Sequence, residues 1–204
     1  TPLYMACHKG HAECVQLLLG AGAVVGLART GDGTRSMFSA CTHGHIECVQ
    51  LLSSHGASRV LQRETLPDVW AEDVSTDADQ DAVAEWLVLS RGWSPLHHLE
   101  VLSVERTRAL LREGADLHLK PSVGAASPLE RAQQLAPGNT AASIVVRAAG
   151  PWSVDSHALF PDVDRVRMAV LLHSLYHICL RRMDHGGWQA VDFARHVLSF
   201  VLHR

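Results

Sequence analysis

The chain has 204 residues, 47% of them hydrophobic and 5% aromatic, and a formal net charge of −3. A chain this apolar buries a continuous core, which excludes bulk disorder, and its slightly acidic balance excludes a basic nucleic-acid surface. Many Ala and Leu with few aromatics favour short, close-packed helices over a β-sandwich.

The first predicted element opens at Thr1, which can cap a helix, with Pro2 at the first helical position, where a missing N–H costs nothing. Ala6 and Cys7 are small enough for close approach of a second helix. Gly10 stops the first helix by accepting a left-handed backbone. Cys14, Val15, Leu17 and Leu18 then recur at helical spacing, and "GAGA" ends that second helix. "TGDGT" (Thr30 to Thr34) supplies a glycine-rich loop tip. The pattern then repeats. "ACHKGHAECVQLL" (Ala6 to Leu18) returns as "ACTHGHIECVQLL" (Ala40 to Leu52) at an offset of 34, with ten of thirteen positions identical.

Three weaker units follow. Trp70 to Gly92 keeps the helical pattern through Val83, Trp86 and Leu87 but lacks the Gly-His turn. Ser94 to Asp116 opens with "SPLH" and offers Ser103 with Glu105 as a fresh cap and acidic first turn. Ser127 to Gly150 opens with Ser127 and Glu130 at capping-box spacing. Only one residue separates the third unit from the fourth, so a packing defect is expected at Gly92–Trp93. After Gly150 the pattern changes: a linker, a helix opening near Pro161–Asp162, a "DHGG" stop, then "WQAVDFARHVLSFVLHR" as a second amphipathic helix. The first of these carries an apolar stripe of Val166, Val170, Leu171, Ser174, Leu175, Ile178 and Leu180.

These units resemble ankyrin repeats, whose period is 33 residues with a T-P-L-H-x-A opening. The resemblance covers roughly residues 1–150. It implies an all-α ankyrin-repeat solenoid of about five helix-turn-helix units, the later ones degenerate, with a C-terminal helical pair. The expected divisions are 1–57 (two well-formed repeats), 58–150 (three degenerate ones) and 151–204 (a helical extension or cap). The family's His at the fourth motif position, which bonds back to the opening Thr, is kept at His97. Tyr4, Phe38, Asp73 and Glu130 replace it elsewhere.

Twin Cys/His blocks raise the question of metal. Cys7 and Cys14, like Cys41 and Cys48, lie seven apart across a turn, which is not zinc-ligand spacing. On the repeat reading all four fall on apolar helix positions, as core thiols. His173 and His177 share a helix face, but the Glu of H-E-x-x-H is missing, since residue 174 is Ser. "GDG" has no Lys-Ser/Thr and no strand before it, so it is a loop tip and not a phosphate cradle. No orienting third group accompanies any Cys/His pair, so no catalytic residue is named and the chain is read as no enzyme. No cofactor and no metal are expected.

By the same resemblance, function sits on the concave side formed by loop tips and first helices. The candidate protein-binding residues are His8, Lys9, Asp32, Thr34, Thr42 and His43, a cationic, imidazole and hydroxyl surface that fits a polar or acidic segment. The expected function is a non-catalytic protein-interaction scaffold or adaptor. Its expected partner is another protein, with no nucleic acid and no membrane insertion, and the module is expected to be monomeric. One alternative is a substrate-recruiting adaptor of a ubiquitin ligase, in which "FARHVLSFVL" faintly resembles the end of an F-box. The other is a His/Cys metal-binding protein. The two C-terminal helices either seal the stack or dock a partner.

Five cysteines without a disulfide framework point to a reducing, intracellular and cytoplasmic setting. No uncharged apolar run is long enough to span a bilayer. Thr1 falls inside a motif, so further repeats upstream are expected. Without them Leu3, Leu17 and their neighbours would face water.

Overall fold

A computed structural model of the chain describes residues 1–29, 33–61, 69–78, 80–122, 124–151, 153 and 155–181. The chain divides into two units: Thr1–Leu102 with Lys120–Ala125, and Ser103–Leu119 with Ala126–Arg204.

The first unit is built from helix pairs. α1 (Pro2–Lys9) and α2 (Ala12–Gly20) form the first, α3 (Ser36–Thr42) and α4 (Ile46–Ser54) the second, α5 (Ala71–Asp77) and α6 (Asp81–Leu89) the third. Helices of seven to nine residues are marginal alone, so their stability comes from stacking. α1 packs on α3 and α3 on α5, while α2 packs on α4 and α4 on α6. The core threads through Leu3, Cys7, Val15, Met37, Phe38, Cys41, Val49, Leu52, Val83 and Leu87.

Local chemistry sets the helix ends. The Tyr4 N–H donates to Thr1 Oγ1 at 3.1 Å, as the cap predicts. At the other end Gly10 takes φ 72°, and the His11 N–H donates to the Ala6 carbonyl at 3.0 Å. Gly44 repeats this with φ 73°, and His45 donates to Ala40 at 3.0 Å. The outer face of the first pair is open: Leu17 is exposed, whereas Leu3, expected beside it, is buried.

Two β elements were not foreseen in the sequence. β1 (Val60–Leu61) and β2 (Val69–Trp70) pair antiparallel, Val60 opposite Trp70 and Leu61 opposite Val69. A single bridge joins Ala28 and Arg35 ahead of α3.

A side chain outside the repeat pattern ties the second pair to the third. Arg59 donates from Nη1 to the Leu87 carbonyl at 3.0 Å, and from Nη2 to Ser53 Oγ at 3.0 Å and Ser90 Oγ at 2.9 Å. Its guanidinium lies 5.4 Å from the centre of the Trp86 ring. Burial lowers its pKa, partly offset by Glu72.

Beyond α6, the segment after Gly92 forms only a 3₁₀ turn, Pro95–His97, where the family pattern has a first helix. Ser94 donates its N–H to His97 Nδ1 at 3.0 Å, the back-bond that the retained His predicts. Trp93 fills the short connection, its ring 5.3 Å from His98 and 6.3 Å from Trp86. His98 Nε2 lies 3.2 Å from Ser53 Oγ on α4.

The second unit contains α7 (Val104–Arg112), α8 (Pro128–Leu135), α9 (Thr140–Ala148), a 3₁₀ turn at His157–Leu159 and α10 (Asp162–Arg181). Ser103 Oγ accepts from the Arg106 N–H at 3.1 Å, as expected of that cap. Ser127 and Glu130 close a reciprocal capping box: the Ser127 N–H donates to Glu130 Oε2 at 2.8 Å and the Glu130 N–H to Ser127 Oγ at 3.3 Å. Glu130 thus does for Ser127 what the absent His would do. α9 buries Ala141, Ala142, Ile144, Val145 and Ala148 against α7 and α8.

α10 opens at Asp162, where the sequence placed it. Among its described side chains Met168 is buried, while Val166, Val170 and Leu171 of the expected stripe are exposed; the side chains of Leu175, Ile178 and Leu180 lie outside the description. The "DHGG" stop, the second amphipathic helix and the F-box-like "FARHVLSFVL" lie outside the described residues. No helix among the described residues is long and apolar enough to cross a membrane.

Candidate functional site

α1 and α3 present their last turns side by side, because the 34-residue offset sets equivalent positions in register. His8 and Lys9 end α1, and Thr42 with His43 ends α3. The His8 and His43 rings meet edge to face, centroids 4.3 Å apart. His8 Nδ1 lies 3.4 Å from Ser39 Oγ, and His43 Nδ1 donates to the Ser39 carbonyl at 2.8 Å. That donation leaves His43 Nε2 as the ring's acceptor. Thr42 Oγ1 donates back to the Phe38 carbonyl at 2.9 Å, which holds its methyl and hydroxyl at the helix end. Lys9, Thr42 and His43 are exposed, and His8 is half-buried.

Thr34 lies further off in the chain, half-buried, where its carbonyl accepts from the Arg29 N–H at 2.8 Å. Asp32 lies outside the described residues. Of the six candidates the fold joins His8 to His43 directly, with Lys9 and Thr42 as their chain neighbours.

Tyr4 and Arg29 were missed in the sequence as participants. The Tyr4 ring stacks one turn before His8, centroids 6.1 Å apart, and Arg29 covers Tyr4 with its guanidinium 5.5 Å from the ring centre. His45 stacks 6.0 Å from His43 and donates from Nε2 to the His8 carbonyl at 3.3 Å. Tyr4 and His8 stand at i and i+4, a spacing that does signal a shared face. Nothing in the sequence signals Arg29. The result is a row of Arg29, Tyr4, His8, His43 and His45. Burial lowers the His8 pKa below its usual 6.5, helped by the charges of His43, Lys9, Arg29 and His45.

The cysteines carry no comparable chemistry. Burial pushes the Cys7 thiol up to about 12, with Cys48 adding to the rise. Burial likewise takes Cys41 to about 12 and Cys48 to about 11. Such thiols stay protonated and are poor nucleophiles and poor ligands. Cys14 departs from the expectation of a core thiol: it is exposed, because nothing described covers the outer face of the first pair. Among the described residues no three of His, Cys, Asp or Glu converge on a point where they could hold a metal. A shallow pocket of about 210 Å³ between Gly10, Gly44, His45, Ile46, Glu47 and Cys48 is below the range of ordinary small-molecule sites.

Comparison with known proteins places the first helix pairs. The family model for ankyrin repeats, three copies, matches residues 1–63. No curated protein matches the chain. Among solved structures, the ankyrin repeat domain of human ASB11 is 18% identical, over 78% of this chain and 82% of that chain, with a TM-score of 0.39. Ankyrin repeats act as protein-binding modules. With their stacked helix pairs, glycine-stopped first helices and this family match, residues 1–63 of the chain form ankyrin repeats.

Proposed function

We propose that the chain is a non-catalytic binding module and that the ends of α1 and α3 hold a polar or acidic segment of another protein. The observation that carries this reading is the His8–His43 pair, its ring centroids 4.3 Å apart, flanked by Lys9 and by Arg29 over Tyr4. Lys9 and Arg29 supply positive charge, and His43 Nε2 offers an acceptor. Thr42 adds a hydroxyl. Short helices in a stack supply a rigid, shallow surface, which favours recognition of an extended segment over enclosure of a small substrate. The reading of an adaptor follows from the same surface, with the partner identified by its charge.

Fluorescence anisotropy with labelled peptides of matched length tests it. An Asp/Glu-rich peptide is expected to bind more tightly than a Lys-rich or a Ser/Gly peptide, and to weaken as salt rises. The triple variant His8→Ala, Lys9→Ala, His43→Ala is expected to weaken the acidic peptide by about tenfold or more. Equal binding of all three peptides, or no effect of the triple variant, would sink the proposal.

A further inference from the structure

The first helices α1, α3 and α5 sit at equivalent places in their pairs and carry different charge. At the offset of 34 residues Lys9, His43 and Asp77 correspond, and so do Met5, Ser39 and Asp73. α1 has basic residues in its last turn and no acid, α3 has neither, and α5 has acids and no base. Because α1 packs on α3 and α3 on α5, the sign of the charge changes in one direction across these helices. The second helices show no such change: Glu13, Glu47 and Asp81 stand in the first turns of α2, α4 and α6 alike.

Packing does not account for the acids on α5. Glu72 is buried and meets Arg91 at 3.6 Å, so it belongs to the fold. Asp73 and Asp77 are exposed. They stand four residues apart on one helix face, where like charges repel. Asp77 also ends α5, where the helix dipole favours a cation such as Lys9 and disfavours a carboxylate. Local conflicts of this kind gather at functional surfaces.

We infer, on the footing of the binding surface proposed at α1 and α3, that the bound segment is divided in charge: its acidic end lies at Lys9 and Arg29, and a basic end lies at Asp73 and Asp77. Packed helices are about 8–10 Å apart, so α1 and α5 are separated by about 16–20 Å. An extended chain advances about 3.3 Å per residue, which sets the two charged ends about five or six residues apart. His43 and Thr42, on the helix between, meet the uncharged middle.

Fluorescence anisotropy of the 204-residue chain with three peptides of matched length tests this, each made in both chain directions. One has an acidic block and a Ser/Gly remainder. The second adds a Lys block about six residues from the acids. The third has the residues of the second, interleaved. The charge-divided peptide is expected to bind at least about fivefold tighter than the other two in one direction or both. The double variant Asp73→Asn, Asp77→Asn is expected to abolish that gain, to bind the acidic–Ser/Gly peptide no more weakly, and to keep or raise the urea midpoint. If the acidic–Ser/Gly peptide outbinds an all-Ser/Gly one and the Lys block adds nothing, the inference is overturned while the surface at α1 and α3 stands. If no peptide outbinds the all-Ser/Gly one, both are overturned. A gain that survives the double variant would overturn the inference, and so would a lowered midpoint, which would show that the two carboxylates serve the fold.

Discussion

The His45 ring occupies the space that a side chain on Gly10 would need: Nδ1 lies 2.5 Å from the position of a Cβ there. The turn and the ring are two halves of one junction between the first and second helix pairs. Gly10→Ala meets both a left-handed backbone and this ring, and should destabilise the first unit by about 2–4 kcal/mol. Urea denaturation checks the value. Adding His45→Ala to Gly10→Ala should recover part of the loss, since it removes the clash and leaves the backbone strain.

Leu52 is fully buried on α4, and Leu18 at the same place on α2 is half-buried. Leu52→Ala is expected to cost about 2–5 kcal/mol, and Leu18→Ala less, because it leaves a smaller cavity. Equal costs in chemical denaturation would contradict the packing described for the two pairs.

Arg59→Ala removes three hydrogen bonds at the junction of the second and third pairs and leaves Ser53, Ser90 and the Leu87 carbonyl to find other partners. The expected loss is about 2–3 kcal/mol in the denaturation midpoint analysis. Arg59→Lys should recover little of it, because an ammonium cannot reproduce the forked donor geometry.

Acid should weaken the first unit through His8. Its folded pKa is lowered, so the unfolded chain binds the proton more readily than the folded one. Stability is therefore unaffected above the unfolded value near 6.5 and falls as pH drops from there towards the lowered folded value. His8→Gln should flatten this dependence, measured as urea midpoints at about pH 7.5 and about pH 5. An unchanged slope in the variant would show that His8 is not its source.

What could be read from the sequence was local or periodic. Thr1, Ser103 and the Ser127–Glu130 box announce themselves by spacing, and each makes the bond that its spacing predicts. The offset between the two near-identical blocks sets His8 against Thr42 and Lys9 against His43, and it does not announce the contact of His8 with His43. Arg59 was illegible, because its partners lie 28 and 31 residues away and no period marks them. Arg29 was illegible for the same reason. Cys14 was misjudged because identical sequence implied identical burial, and burial depends on the neighbouring pair as well as on the residue. The two-residue strands β1 and β2 carry too few residues for alternation to show.

The Gly-His turn also has a successor that the motif conceals. At Gly44, with φ 73°, the side chain of Gln80 fills the place that His45 fills at Gly10. Gln80 precedes α6 as His45 precedes α4, and its Nε2 donates to the Ala78 carbonyl at 2.9 Å. A flat polar group therefore stands over a bare backbone at both junctions, an imidazole at Gly10 and an amide at Gly44. The exchange makes the stack uneven towards acid. Gln80 has no proton to gain, whereas His8, whose pKa burial lowers, stands beside the first junction. A falling pH thus acts on the contact between the first and second helix pairs through His8, and the amide at Gly44 takes no part in it.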